Sequence, residues 1–263
     1  MRAAAPRTLR GNTMRTRDAW TEVVPGFFQL RVADVNCYLV RTAEGLTLFD
    51  AGLPRTGPLL RDVLRHLGAR LSDIDALVLT HGHFDHVGTA RKLHDAGVAV
   101  FVHPRDAELA RHPYSYRPAA PRVAYVLGHP RGIPIITRMA FAGALTVRGV
   151  EASPRVAHGH VIDVPGAPTA LWTPGHTDGH CAYVFEREGV VITGDALVTL
   201  DPYTGESGPQ IVANAATSDP ASAMAALDTL ASTDTGVALP GHGEPVLDGV
   251  RSAVSAARRR GPH

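Results

Sequence analysis

The stretch that most constrains this chain is residues 76–88, ALVLTHGHFDHVG. Ala76, Leu77, Val78 and Leu79 form a short apolar run that ends in Thr80, and His81, His83, Asp85 and His86 follow directly. A short run of Leu and Val bounded by polar residues predicts a buried strand over 76–80. Ligand-type side chains where a buried strand stops predict a site at its carboxyl end. Alternate side chains of an extended segment share a face, so His81 and His83 can point at one ion. Asp85 and His86 come after the turn and point elsewhere, toward a second. Imidazole and carboxylate together suit zinc, manganese or iron better than calcium or magnesium. The chain holds another closely spaced pair, His158-Gly159-His160, ahead of a Val-Ile-Asp-Val stretch. That pair reads as the flank of a hairpin turn.

Composition narrows the class. A chain of 263 residues with 44 % apolar residues has ample material for a core, in one domain or a tight two-layer pair. The net charge of +1, without a basic stripe, gives no reason to expect a nucleic-acid partner. Cys37 and Cys181 do not make a disulfide framework and read as small buried hydrophobes. No stretch approaches 18 apolar residues, so no membrane span is expected. Residues 1–17 are Arg-rich and have no apolar segment of the signal-peptide kind, so they are expected to be a disordered tail on a cytoplasmic protein. Met14 is an alternative start.

From Trp20 onward the chain is orderly. Strands are expected over 23–32, 36–41 and 46–50, the last ending in Asp50-Ala51-Gly52. Leu59, Leu60, Val63, Leu64 and Leu67 have helical spacing over 57–67. A helix is expected over 86–96 with Gly97 as its cap, then a strand over 98–102. His66 and His94 read as surface residues, and His112 and His129 as structural ones. Residues 111–156 show no clean period, yet their aromatic and aliphatic content argues against disorder. This inserted segment is expected to wall the substrate pocket and to favour an acyl group with apolar bulk; otherwise it covers a sheet edge. Further strands are expected over 169–173, 181–185, 190–193 and 237–239, with helices over 221–231 and 247–260. The result is two β-rich halves, read as two sheets face to face with helices outside.

Five strand ends carry ligand-type residues: Asp50, the HGHFDH cluster, His176, Asp195 and His242. Here the chain resembles the metallo-β-lactamase fold superfamily over about residues 20–255. LFDAG is similar to its first motif, HGHFDH to its second, TPGHTDGH to its third, TGDA to its fourth and LPGHG to its fifth. The resemblance implies an α/β fold of the αββα sandwich type over 18–263, with a two-metal site between the sheets. It assigns His81, His83 and His176 to one ion, and Asp85, His86 and His242 to a second. Asp195 bridges the pair, and Asp50 orients a ligand histidine from behind. His180 either supports the site or touches substrate. The implied cofactors are two divalent ions, zinc first, with manganese or iron as alternatives.

The implied activity is that of a metal-dependent hydrolase acting on a small molecule. A metal-bridging hydroxide cleaves an ester, thioester or lactone, with Asp195 and Asp85 as the catalytic carboxylates. Departures from the family patterns narrow the choice. The commonest class B β-lactamases carry Cys where this chain has Asp195, and the diiron flavoproteins carry Glu in place of His83. Acyl-homoserine-lactone lactonases place a Tyr where this chain has Val198. Only 21 residues follow His242, so the added helical domain of the longer glyoxalase II type is not expected. Ribonuclease Z-like enzymes share the ligand set, but no basic RNA-binding arm is visible. The alternative is a persulfide dioxygenase-like mono-iron oxidoreductase, followed by a β-lactamase or a phosphodiesterase. Oligomeric state is not legible.

Overall fold

The computed structural model describes residues 18–263, so the N-terminal tail expected over 1–17 lies outside the described residues. The first sheet runs in chain order through β1 (Ala19–Val24), β2 (Phe27–Val32), β3 (Val35–Arg41), β4 (Leu46–Phe49), β5 (Ile74–Val78) and β6 (Ala99–Phe101). The first four pair antiparallel, and β4, β5 and β6 pair parallel. The second sheet contains β7 (Thr169–Trp172), β8 (Cys181–Phe185), β9 (Val190–Gly194) and β12 (Val237–Pro240), in the order β12-β9-β8-β7. Its β12–β9 pair is parallel and the others are antiparallel. A separate ribbon, β10 (Val198–Leu200) with β11 (Ser207–Gln210), follows β9.

The two-residue period of the strands builds the layers. On β3, Cys37 and Leu39 face an outer core, and Tyr38 and Val40 face the opposite sheet. The outer core is closed by α1 (Thr56–His66), α2 (Ala90–Asp95) and the short α3 (Ala107–Arg111), whose Leu60, Val63, Leu64, Leu93 and Ala110 belong to one cluster with Leu48 and Leu77. Between the sheets Phe49 meets Tyr183 and Phe185 at ring distances of 5.2 and 5.5 Å. Behind the second sheet lie α6 (Pro220–Ser232) and α7 (Val250–Arg260), with Leu227, Leu230, Val250 and Val254 packed on Val184 and Val191. Asp219 caps α6 by accepting from the backbone N–H groups of Ala221 and Ser222. The αββα order expected from sequence is therefore present.

Several boundaries differ from expectation. The strand expected over 23–32 is a hairpin of β1 and β2, folded at Pro25-Gly26. Gly26 has φ +82°, and a Cβ there would sit 2.6 Å from the Arg41 carbonyl oxygen. The strand expected over 76–80 starts two residues earlier and stops at Val78, so the ligand loop begins sooner. The helix expected over 86–96 starts only at Ala90, because residues 84–89 form turns. Residues 111–156 are not wholly irregular: they hold the short helices α4 (Arg122–Gly128) and α5 (Ile133–Met139), the latter running into a wide turn over Ala140–Ala144.

Parallel pairing sets the position of the site. β4 and β5 end on the same side of the first sheet, as β7, β9 and β12 do in the second. The loops after these five strands meet at one end of the sandwich. Cross-sheet hydrogen bonds hold them in register. The Asn36 amide donates to the Pro240 and Gly243 carbonyls at 2.9 and 2.8 Å, and the Tyr38 hydroxyl to Pro240 at 2.7 Å. The Tyr183 hydroxyl donates to the Leu79 carbonyl at 2.7 Å, and the Cys181 N–H to that of Thr80 at 2.8 Å. Both cysteines are free and buried, as expected.

Candidate metal centre

The seven ligand-type residues expected to act together converge. Three groups have nitrogen or oxygen atoms within 4.8 Å of one another: His81 with His83 and His176, His81 with His86 and Asp195, and Asp85 with His86 and His242. Asp195 lies between the outer groups. Its carboxylate is 3.3 Å from His176 Nε2, 3.4 Å from His242 Nε2 and 3.5 Å from His86 Nε2. All seven are buried. One detail goes beyond the two-set expectation: His81 and His86 each belong to two groups, so the sets are linked through the group that holds Asp195.

The outward-facing nitrogens explain why the inward ones converge. His86 Nδ1 is 2.8 Å from Asp50, His242 Nδ1 3.0 Å from the Asp34 carbonyl, and His81 Nδ1 3.0 Å from the Thr80 hydroxyl. His176 Nδ1 faces the Thr217 hydroxyl at 3.4 Å. Tying Nδ1 fixes ring orientation and, where the partner is a pure acceptor, the tautomer. Nε2 is then left to face the centre. His83 has the opposite orientation: its Nδ1 is 2.9 Å from His176 Nε2.

The residues present fit a cation. Of the atoms that face the centre, His81 Nε2, His86 Nε2 and Asp195 Oδ1 are buried without a hydrogen-bond partner. Each such atom costs about 1–3 kcal/mol unless something satisfies it. Three of them in one cluster of imidazole and carboxylate, beside His83 Nδ1 and His176 Nε2, are the donor set expected for zinc, manganese or iron.

The electrostatics agree. Burial opposes charge on His86, but the carboxylates of Asp195, Asp50 and Asp85 outweigh it and push its pKa up to about 9. His242 is likewise raised well above the ordinary range against its own burial, chiefly by Asp195. Burial and neighbouring imidazoles lower His81 and His83 well below the usual value, and burial takes His176 down to about 4. Asp195 is held well below the usual carboxylate range despite burial, because His242, His86 and His176 surround it. The Asp195 side of the cluster thus draws positive charge onto His86 and His242, while His81, His83 and His176 stay neutral with a lone pair free.

The supporting residues are now visible. Asp50 lies in the left-handed region at φ 59°, accepts from the Thr80 N–H at 2.7 Å and hydroxyl at 2.8 Å, and faces His86. His180 is fully buried. Its Nε2 accepts from the Asp195 N–H at 3.0 Å, and its Nδ1 faces the Thr173 hydroxyl at 2.8 Å. It steadies the Asp195 loop and has no surface for substrate. Burial takes its pKa down to about 3, which keeps Nε2 free to accept. Sequence reading misses Thr80, Thr217 and Asp106. The buried Asp106 carboxylate accepts from Gly82 N at 2.9 Å, Thr177 Oγ1 at 2.8 Å and Gly179 N at 2.7 Å, tying the second ligand loop to the third. Tyr116 enters the sequence reading only as part of the inserted segment, but its ring lies 3.8 Å from that of His83. His158 and His160 stay outside the cluster; His158 Nδ1 accepts from the Trp172 N–H at 3.1 Å beside the turn.

The comparisons agree with this geometry. The family model described as the metallo-beta-lactamase superfamily matches residues 30–242. Among curated proteins, the probable metallo-hydrolase YqjP of Bacillus subtilis (strain 168) is 31 % identical over 247 residues, covering 89 % of this chain and 74 % of YqjP. The uncharacterized protein YobT of the same organism is 31 % identical over 165 residues, and the match spans only 62 % of each chain. Among solved structures, the metallo-beta-lactamase family protein TTHA1429 from Thermus thermophilus aligns with a TM-score of 0.64 at 28 % identity, over 89 % of this chain and 78 % of that one. With the motif loops gathered at one end of an αββα sandwich and the family model spanning the ligand-type residues of all five, the chain belongs to the metallo-beta-lactamase superfamily.

Proposed function

We propose that this chain is a dinuclear metal-dependent hydrolase of a carboxylic ester, thioester or lactone. His81, His83 and His176 would hold one divalent ion, Asp85, His86 and His242 the second, and Asp195 both. The observation that carries the reading is the set of inward, unpartnered nitrogens overlapping around one carboxylate. Zinc is the first candidate for this mixed nitrogen and oxygen set, with manganese or iron next. When bound, such a pair of ions activates water as a nucleophile near neutral pH and polarises the substrate's carbonyl oxygen.

The chain's own residues supply the rest. Asp50 keeps the His86 Nδ1 proton in place and so leaves Nε2 as a donor of electrons. His180 and Thr173 hold the Asp195 backbone, so the shared carboxylate stays centred. Asp85, the carboxylate beside His242 at 3.5 Å, is the group suited to orient the attacking water and to take its proton. Phe84 and Tyr114, whose rings stack at 5.5 Å, put apolar surface beside the ligand loop. Support for acyl rather than nucleic-acid substrates comes from that apolar surface and from the near-neutral chain. A small-molecule substrate and a cytoplasmic location are part of the same proposal; among the described residues no helix is long and apolar enough to cross a membrane.

Metal analysis coupled to a substrate panel tests the proposal. The purified protein loaded with zinc or manganese should hold close to two ions per chain and cleave at least one of an ester, thioester or lactone set. A firm stoichiometry of one iron, with no gain on adding zinc or manganese, would favour the persulfide dioxygenase-like chemistry instead.

A further inference from the structure

Beside the ligand cluster lies a cavity of about 380 Å³, inside the range of small-molecule sites. Val126 on α4 and Ile136 and Met139 on α5 wall it, and Phe84, Tyr114 and Tyr203 line it on the side of the ligand loop. Phe84 stands between two ligand-type residues, His83 and Asp85, so this end of the cavity borders the ligand loop. Its outer lip is apolar yet open to water: Val123, Leu127 and Leu145 are 76, 72 and 79 % exposed. Apolar side chains gathered around a concavity mark a binding site more often than scattered ones do.

The polar lining adds direction. Arg122 also lines the cavity, and its guanidinium lies 4.0 Å over the Tyr116 ring, whose own neighbour is His83 at 3.8 Å. Arg122 Nε donates to the Ala215 carbonyl at 3.3 Å, but Nη2 is buried and has no partner. A buried guanidinium nitrogen is best satisfied by an oxygen carrying negative charge, in a charge-assisted hydrogen bond. The cavity therefore has an apolar outer part and one cationic donor at the end near the cluster.

We propose that this cavity takes the acyl arm of the substrate, that the arm is a medium-length alkyl or aryl chain, and that Arg122 holds an oxygen of its head group. The inference rests on the hydrolase reading for the bond that is broken, but the binding it describes needs no turnover. A carboxylate with the same chain is the product of such a hydrolysis, and serves as the probe.

Acetate, butanoate and octanoate are titrated calorimetrically into zinc-loaded protein and into protein stripped with EDTA. Binding should tighten by about threefold to fourfold for each added methylene, the value of ~0.8 kcal/mol per buried CH₂, in both metal states. Leu127→Asp, at an exposed position, should weaken octanoate by at least about tenfold and leave butanoate unchanged, with Val126→Asp as a second variant on the wall. Circular dichroism checks that both are folded. Arg122→Gln should weaken octanoate about tenfold while leaving 1-octanol unchanged. Octanoate binding no tighter than acetate, or unchanged in both aspartate variants, overturns the arm site. Equal loss of octanoate and octanol in Arg122→Gln overturns the role of Arg122. If the chain-length series holds in stripped protein while no ester, thioester or lactone is cleaved, the cavity stands and the hydrolase reading fails.

Discussion

Asp50→Asn isolates one hydrogen bond of the centre. Asparagine matches aspartate in size and is at ease in the left-handed region, so the φ of 59° at this position is not disturbed. The two oxygens of Asp50 have different duties. Oδ1 accepts from the Thr80 N–H at 2.7 Å, while Oδ2 meets the Thr80 hydroxyl and His86 Nδ1, both at 2.8 Å. An amide that keeps its oxygen on the Thr80 N–H must turn its NH₂ toward His86. The hydroxyl can rotate away, but the imidazole has to surrender its Nδ1 proton and carry it on Nε2. That is the nitrogen 3.5 Å from Asp195, facing the centre, and a protonated nitrogen cannot bind a cation. Turning the amide the other way sets NH₂ against a backbone N–H, which has no freedom to adapt. Either arrangement costs about 1–3 kcal/mol, so metal affinity should fall about 10–100-fold. The loss should be confined to the ion held through His86. Zinc competition against a fluorescent chelator reads it, with urea unfolding of stripped protein as the check on folding. Two equivalents that both bind within about twofold of wild type would show that Asp50 does not set the His86 tautomer.

The other predictions concern the shared carboxylate, protons and loop register. Asp195→Ala should lower kcat/KM by about 10³-fold, some 4 kcal/mol; activity within tenfold of wild type would show that the carboxylate is not shared. Asp106→Ala strips three donors of their acceptor and should lower the Tm by about 6–12 °C, an effect that calorimetry would refute if the shift stayed within about 2 °C. The stripped protein should lose stability to urea as pH falls from about 6.5 to 4, because the native state refuses protons on His176 and His180 that the unfolded chain accepts. Above pH 6.5 the opposite applies to His86, which contributes stability below that value and loses it as pH rises toward about 9. A stripped protein whose urea midpoint stays flat between pH 4 and 6.5 would contradict this.

The ligand residues are legible in the sequence because they fall in short windows where apolar runs stop, and both the fold order and the two-sheet pairing follow from the same runs. Their supports are not, for reasons that are local. Thr217 acts through its hydroxyl and Thr80 through its hydroxyl and backbone N–H, groups too common in sequence to signal anything. Asp106 lies just past a loop histidine, His103, and only the packed fold brings Gly82 and Gly179 to it. The helices over residues 122–139 escape because each is only seven residues long, about two turns, and α4 has no buried residue to give a period. Tyr203 lies beyond the fourth motif, in the connection between β10 and β11, where nothing in the chain marks it as a neighbour of α4 and α5.

The same packing explains why the centre accepts protons and cations alike. Asp50, Asp85 and Asp195 are 3, 6 and 3 % exposed at one end of an apolar sandwich. A buried carboxylate left without a partner costs several kcal/mol, and among the described residues no lysine or arginine lies within salt-bridge reach of these three; their neighbours at that range are histidines. Without cations the charge is offset by protons on His86 and His242, the two imidazoles of the centre whose pKa values are raised. A cation that takes those nitrogens must displace the protons, so binding and proton release are one event. Histidine is the side chain that can serve both states near neutral pH. Lysine or arginine in its place would satisfy the carboxylates permanently and leave nothing for a metal to do. The choice of imidazole over a fixed cation is what turns the polar end of this fold from a buried ion-pair cluster into a centre that can exchange its charge.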